Sequence, residues 1–139
     1  MPEEPLQAFV KAHRPFTLET VKRFPELYAA SVEFRDPFKH FKSDLPGMQR
    51  YFQRMFKTFQ EVNFTIEDAA GGEDGAYVRW RLSVARKAGG KAIESFGISH
   101  LRFDGQGKVV WQEDAMDPSG IYQMVPVLSA MLRLVRRFF

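Results

Sequence analysis

A carboxylate interrupts an otherwise apolar strand face in the segment SVEFRDPFKHF, residues 31–41. Alternate residues of a strand point to the same side of a sheet, so Asp36 shares its face with Val32, Phe34 and Phe38. Because an isolated buried carboxylate is costly, we expect Asp36 to be partnered, protonated or placed at the mouth of a cavity. A carboxyl group in that setting can remove a carbon-bound proton or activate water. The alternative is that Asp36, which precedes a proline, only accepts backbone hydrogen bonds at a turn.

A second candidate carboxylate lies in the segment KVVWQEDAM, where the alternation of a strand continues. Asp114 occupies this segment, and two carboxyl groups in different surroundings can divide the roles of acid and base. The alternative for Asp114 is an ion pair with a strand arginine, Arg79 or Arg81.

The elements that must position these carboxylates are predicted from apolar periodicity. PLQAFVKAH and TLETVKRFPELYAA have helical stripes, and Pro25 should kink or split the second. SDLPGMQRYFQRMFKTF is a strongly amphipathic helix that Ser43 or Asp44 can cap. From residue 62 to residue 117 the period becomes two, and GGEDG, AGG and DGQG are turn signals that join four strands into an antiparallel meander. This order predicts a single α+β domain over residues 1–139, with one curved antiparallel sheet that carries helices on one face.

Composition excludes several kinds of site. The 139 residues include no cysteine, which excludes disulfides and thiolate chemistry. His13, His40 and His100 show no ligand spacing, and every glycine cluster lies between strands, so we expect no metal and no nucleotide cofactor. His100 is expected on the face opposite the cavity.

Charge and hydropathy limit the partners. The net charge of +3 is too small to indicate nucleic acid. The first residues lack the pattern of a signal peptide and no apolar run is long enough to span a membrane, so we expect a cytoplasmic protein. The terminal segment MLRLVRRFF is amphipathic and basic. We expect its stripe to pack on its own sheet or on a second subunit, with a membrane surface as the less favoured alternative.

The order of elements, with VEFRDPF after ELYAA and with ISHLRFDGQGKVV late in the chain, resembles the nuclear transport factor 2-like superfamily. The resemblance extends from about residue 18 to residue 117. It implies a sheet wrapped around helices into a cystatin-like cone with a central apolar pocket, and a homodimer formed through the outer sheet face. In the ketosteroid isomerases of this superfamily the matching strand-end carboxylate is the general base, which implies that role for Asp36. The segment that supplies their protonated aspartate matches SHLRF and places Ser99 there, and no tyrosine occupies the first helix, which argues against a steroid isomerase.

The SnoaL-like branch of the superfamily is more similar. Its last strand often ends in an H-x-D-x-x-D-like pattern in which an aspartate acts as acid or base, and W-Q-E-D-A-M-D offers Asp114 and Asp117. Gln112 replaces the usual histidine. The resemblance implies that the face of Asp114 looks into the pocket, together with a set of substrate-binding residues: Tyr28, Phe56, Trp80, Ser99, Gln112 and Met116.

These observations predict a SnoaL-like pocket protein that binds a small apolar molecule, polyketide-like or steroid-like. It could act without a cofactor as an acid–base isomerase, cyclase or hydrolase, with Asp36 as base and Asp114 as a second acid–base or orienting group. A non-catalytic ligand carrier and a protein-interaction subunit are the alternatives. Two carboxyl groups in one closed cavity would favour catalysis. An all-apolar cavity would favour ligand carriage, and a filled cavity would favour protein interaction.

Overall fold

The computed structural model describes residues 3–122 and 126–138. The first half holds α1 (Glu3–Ala12), α2 (Leu18–Lys22), α3 (Phe24–Leu27), β1 (Tyr28–Arg35), β2 (His40–Lys42) and α4 (Leu45–Thr58). The second half holds β3 (Glu61–Gly72), β4 (Gly75–Ala85), β5 (Ile93–Phe103), β6 (Val109–Met116), α5 (Ser119–Tyr122) and α6 (Pro126–Phe138). The fold is α+β, as the sequence predicts.

The strands form one six-stranded mixed sheet in the order β2-β1-β6-β5-β4-β3. The predicted meander is present as β3 to β6, and β1 joins its far edge parallel to β6 while every other pair is antiparallel. The register pairs Phe34 with Gln112 and Arg35 with Glu113. Continuing this register by one residue brings Asp36 and Asp114 to the same level of the sheet on the same face.

The segment 31–41 forms two strands, because the chain turns back after Arg35 and β2 pairs with β1. The predicted helix over TLETVKRFPELYAA is also divided: α2 ends at Lys22 and α3 carries Pro25 in its first turn. The prediction that this helix continues through ELYAA is wrong, since β1 begins at Tyr28. Tyr28 is 2% exposed and pairs with Val109, so sheet pairing and burial override the local helical pattern.

The core fills the space between one face of the sheet and the helices. Fully buried side chains come from both layers: Val21, Phe24, Val32, Phe34, Met48, Val78, Leu101 and Val109. Asp44 caps α4, since its carboxylate accepts a hydrogen bond of 2.9 Å from the backbone N–H of Gly47. The apolar stripe of α4 packs against the core and lines the cavity described below.

The final helix, α6, does not pack on the sheet along its described side chains. Apart from the half-buried Leu132, they are all exposed, and Val127 and Phe138 are 70% and 78% exposed. Arg136 ties the helix to α5 through a hydrogen bond of 3.0 Å to the Ser119 hydroxyl. The expectation that its stripe covers its own sheet is therefore wrong for these residues. Within residues 3–122 and 126–138, no helix is long and apolar enough to cross a membrane.

Candidate active site

A cavity of about 400 Å³ lies between the inner face of the sheet and helices α1, α3 and α4. Its volume is in the range of small-molecule pockets, roughly 300–1,000 Å³. The walls are mostly aromatic rings: Phe9, Phe16, Phe24, Phe38, Phe52, Phe59, Phe64 and Trp80. Among the few polar groups on the walls are both predicted carboxylates, Asp36 and Asp114. The exposed cations Lys39 and Arg54 also contribute to the lining.

Asp36 lies directly after β1, where the strand ends and the chain turns. One carboxylate oxygen, Oδ1, accepts hydrogen bonds of 2.8 Å from the backbone N–H groups of Phe38 and Lys39. The other, Oδ2, accepts a short hydrogen bond of 2.5 Å from the hydroxyl of Tyr51. The turn role and the cavity position, which the sequence presents as alternatives, coexist, because the turn orients the carboxylate toward the cavity.

Tyr51 comes from α4 and was not among the residues that the sequence indicates. Burial raises the pKa of Tyr51 above its usual range, and the hydrogen bond to Asp36 raises it further. Tyr51 is therefore a neutral hydrogen-bond donor that holds the Asp36 carboxylate in position.

Asp114 ends a chain of hydrogen bonds that starts at the indole nitrogen of Trp80, which can only donate, and at the hydroxyl of Tyr28. Trp80 Nε1 donates to the Ser99 hydroxyl at 2.9 Å, and the Ser99 hydroxyl donates its own hydrogen to Asp114 Oδ1 at 2.6 Å. The Tyr28 hydroxyl donates to Gln112 Oε1 at 2.7 Å, which turns the Gln112 amide nitrogen to the same Oδ1, at 2.9 Å. Two donors therefore converge on Oδ1, so a proton carried by this carboxyl group must lie on Oδ2.

Burial raises the pKa of Asp114 from 3.8 to about 7. The hydrogen bonds from Ser99 and Gln112 oppose this shift, while the nearby negative charge of Asp36 adds to it. A substantial fraction of Asp114 is therefore protonated near neutral pH, with its proton on Oδ2. Such a group can donate a hydrogen bond or a proton to a ligand in the cavity.

Replacing Ser99 with alanine is expected to raise the pKa of Asp114 further, because the hydrogen bond that favours the charged form is lost. The same change leaves Trp80 Nε1 without its partner, which should cost about 1 kcal/mol of stability. Carbon-13 NMR of the aspartate carboxyls would follow the titration. Ser95→Ala is the matched control, since Ser95 is a buried serine of the same strand that bonds to the Asp117 carbonyl. An Asp114 titration that is the same in Ser99→Ala and wild type would contradict this hydrogen-bond assignment.

Seven of the eight predicted site residues line the cavity, and the structure brings them together from β1, β4, β5, β6 and the β1–β2 turn: Tyr28, Asp36, Trp80, Ser99, Gln112, Asp114 and Met116. Phe56 lies outside the cavity lining and packs on Phe16, with ring centroids 5.4 Å apart. Phe52 and Met55 of α4, with Phe59 directly after the helix, form that wall instead. The helical period placed the right stripe but could not choose among its members.

Two alternatives for single residues are resolved by the contacts. Arg79 and Arg81 form ion pairs with Glu67, at 3.7 and 3.5 Å, so the expected alternative of an ion pair between either arginine and Asp114 is wrong. His100 lies outside the cavity, as expected, and stacks on Tyr77 with ring centroids 4.4 Å apart. Within residues 3–122 and 126–138, no three His, Asp or Glu side chains cluster as metal ligands would.

His13 was not among the predicted site residues, but the structure places it in this cavity. His13 is 4% exposed, lines the cavity and stacks on Phe9 with ring centroids 4.0 Å apart. Its position at the end of α1, four residues after Phe9 on the same helical face, was the available signal.

The fold is shared with many solved structures. An NTF2-like protein from Burkholderia thailandensis has a TM-score of 0.73 and 18% identity, over 86% of this chain and 95% of that one. AclR, a putative hydroxylase from Streptomyces galilaeus, has a TM-score of 0.72 and 14% identity, over 94% and 98%. A putative polyketide cyclase from Acidithiobacillus ferrooxidans has a TM-score of 0.67 and 17% identity, over 91% and 95%. These identities are low, so the similarity establishes the fold alone.

No match was found among curated proteins. The model of the SnoaL-like domain family matches residues 7–112, which include the turn that carries Asp36, helix α4 and most of the sheet. The match covers most of the chain. The chain therefore belongs to the SnoaL-like domain family.

Proposed function

We propose that this protein catalyses acid–base chemistry without a cofactor on a small apolar carbonyl compound. The observation that carries the proposal is the presence of two carboxyl groups in one aromatic cavity, held in different hydrogen-bonding environments. Asp36 accepts three hydrogen bonds from neutral donors, which suits a carboxylate that removes a proton. Asp114 carries its proton on Oδ2, which suits a group that donates one.

The reaction that this pair supports best is enolisation. The Asp36 carboxylate takes a proton from the carbon next to the ligand carbonyl, and the electrons of that C–H bond form the carbon–carbon double bond. The carbonyl oxygen takes up the displaced electron pair and receives the proton of Asp114. Return of a proton to carbon, at the same or at a conjugated position, gives exchange or isomerisation, and attack of the enol carbon on a second carbonyl gives cyclisation. Protons and electrons balance within the two carboxyls and the ligand.

The structure of the cavity favours this proposal over the two alternatives. A carrier of apolar ligands needs no carboxyl groups, whereas here two of them line the walls. A protein-interaction subunit needs no internal space, whereas the cavity has a volume of about 400 Å³. Polyketide-like and steroid-like molecules are ring systems of the kind that aromatic walls accommodate, and they supply enolisable carbonyls.

The test is deuterium exchange on 2-tetralone, a bicyclic apolar ketone with enolisable C–H bonds, followed by proton NMR in D₂O. The protein should accelerate loss of the benzylic CH₂ signal beyond the rate in buffer that contains the same concentration of an unrelated protein. Absence of acceleration at saturating ketone would reject enolisation.

We further propose that the protein forms a homodimer through the outer face of the sheet. This face exposes Tyr77, Phe96 and Ile98, which are 43%, 51% and 47% exposed. Arginines cover the adjacent rings, with the Arg81 guanidinium 4.5 Å from the centre of the Phe96 ring. An aromatic and arginine-rich patch of this kind is typical of protein interfaces.

The Ile98→Glu variant should weaken this dimer about tenfold or more, because it places a charge in the centre of an apolar contact. Light scattering after size exclusion, over a dilution series, would measure the change. Leu18→Glu is the control, since Leu18 is 40% exposed on α2, away from the sheet. A monomeric wild type, or a dimer equally stable in both variants, would rule out this interface.

A further inference from the structure

His13 is a buried polar group that the proposed enolisation does not use. Its ring is surrounded by phenylalanines, with centroids at 4.0 Å from Phe9, 5.1 Å from Phe16 and 6.4 Å from both Phe24 and Phe64. It lines the same cavity as the two carboxyls. Each ring nitrogen of a buried histidine needs a hydrogen-bond partner or access to open space, because an unpaired buried polar atom is costly.

One nitrogen is accounted for within the helix. Nδ1 lies 2.8 Å from the carbonyl oxygen of Phe9, and a carbonyl oxygen can only accept, so Nδ1 carries the hydrogen. Burial lowers the pKa of His13 to about 4, against the opposing effect of that hydrogen bond, so the ring is neutral at physiological pH. The other nitrogen, Nε2, is therefore a bare hydrogen-bond acceptor.

Nε2 is open to the cavity. Among the described residues, none donates a hydrogen bond to it, and no buried side-chain nitrogen or oxygen is left without a partner. Because Nε2 has no such donor, it is not fully buried, and the space next to the His13 ring is the cavity that it lines. The cavity thus presents an acceptor in the middle of its aromatic wall.

This acceptor is separate from the polar network of Asp114. Phe24 neighbours both groups, with ring centroids 6.4 Å from His13 and 4.7 Å from Tyr28. Phe64 likewise neighbours both, with ring centroids 6.4 Å from His13 and 5.5 Å from Trp80. A ligand that reaches both polar points must therefore extend along these rings, as a flat fused-ring molecule would.

We propose that the ligand is a flat, apolar ring system that bears a hydroxyl group, and that this hydroxyl donates a hydrogen bond to Nε2 of His13. The expectation that such a ligand also carries a carbonyl group at its other end rests on the proposed enolisation. The contact with His13 does not. The site rejects an anionic oxygen at this position, because a bare nitrogen lone pair offers it no donor. His13 thus acts as a specificity residue that selects hydroxylated rings over their ethers.

The experiment compares 2-naphthol with 2-methoxynaphthalene, which has the same rings but no donor hydrogen. Dissociation constants from fluorescence titration would be measured for wild type, His13→Phe and Asp114→Asn. Wild type should bind 2-naphthol about fivefold more tightly than the ether, the effect of one net hydrogen bond. His13→Phe keeps the stacking ring and should remove this preference, while Asp114→Asn should retain it. Equal binding of the two probes by wild type, a preference that survives in His13→Phe, or one lost in Asp114→Asn would overturn the inference.

A second measurement needs no substitution at His13. Long-range nitrogen-15 NMR of the wild-type protein should show His13 with a protonated Nδ1 and an unprotonated Nε2, whose signal moves on addition of 2-naphthol but not of the ether. A protonated Nε2, or a signal that responds equally to both probes, would contradict the assignment. A wild-type protein that prefers 2-naphthol to the ether but does not accelerate ketone exchange would reject only the proposed function. A wild-type protein that accelerates exchange but shows no such preference would reject only the role of His13.

Discussion

The Asp36→Asn variant is expected to exchange 2-tetralone protons about 100-fold more slowly than the wild type, because it removes the general base. Asparagine has the same shape, and its carbonyl oxygen can still accept from the turn N–H groups of Phe38 and Lys39. The substitution therefore removes basicity while the turn is retained. Proton NMR in D₂O at fixed protein and ketone concentrations would give the rates.

Asp44→Asn is the matched control for this substitution. Asp44 is also an aspartate that accepts a backbone hydrogen bond, but it caps α4 and does not line the cavity. It should lose some stability and keep the exchange rate. Equal rates for Asp36→Asn and wild type would exclude Asp36 as the base, and a slow Asp44→Asn would point to general damage.

The Asp114→Asn variant is expected to become more stable than the wild type as the pH rises. The wild-type carboxyl has its pKa raised to about 7 in the folded protein, against 3.8 for the free group. Between these values the folded state keeps a proton that the unfolded state releases, so wild-type stability is full at low pH and is lost as the pH rises toward the folded value. Asparagine is neutral throughout and keeps an oxygen for Ser99 and Gln112.

The difference should reach on the order of 2 kcal/mol between about pH 5 and about pH 8, since one unit of pKa shift corresponds to about 1.4 kcal/mol. Urea unfolding of both proteins across this range would measure it. Asp117→Asn provides a contrast of opposite sign. Hydrogen bonds from the backbone N–H and the hydroxyl of Ser119 lower the pKa of the exposed Asp117. Parallel stability curves for Asp114→Asn and wild type would show that the Asp114 carboxyl is not desolvated.

Much of the frame follows from local sequence rules. The capped α4 and the turn-linked strands β3 to β6 are present because their periodicity, caps and glycine turns all agree. The alternation around Asp36 correctly placed it beside Val32 and Phe34 on the inner side, since both are fully buried. The start of β1 at Tyr28 was not predictable in this way, because its partner strand is more than 80 residues away in the sequence, as the pairing with Val109 shows.

The chemistry of the site was harder to predict because it depends on partners brought together by the sheet. Ser99 faces Asp114 across the β5–β6 pairing, and it is this pairing that brings the Ser99 hydroxyl within hydrogen-bonding distance of the Asp114 carboxyl group. Tyr51 reaches Asp36 across 15 residues of sequence and from a different element. The apolar stripe of α4 was visible in the sequence, but Tyr51 was not part of it, and the contact of its hydroxyl with a strand-end carboxylate was not predictable.

The most direct test of this account is the titration of Asp114 by carbon-13 NMR of the carboxyl groups in wild-type protein, with Asp114→Asn to assign the signal. A midpoint near 7 is expected, because desolvation of this carboxyl keeps its proton bound close to neutral pH. A midpoint at or below about 4.5, within the ordinary range of aspartate, would contradict it and remove the acid from the proposed reaction.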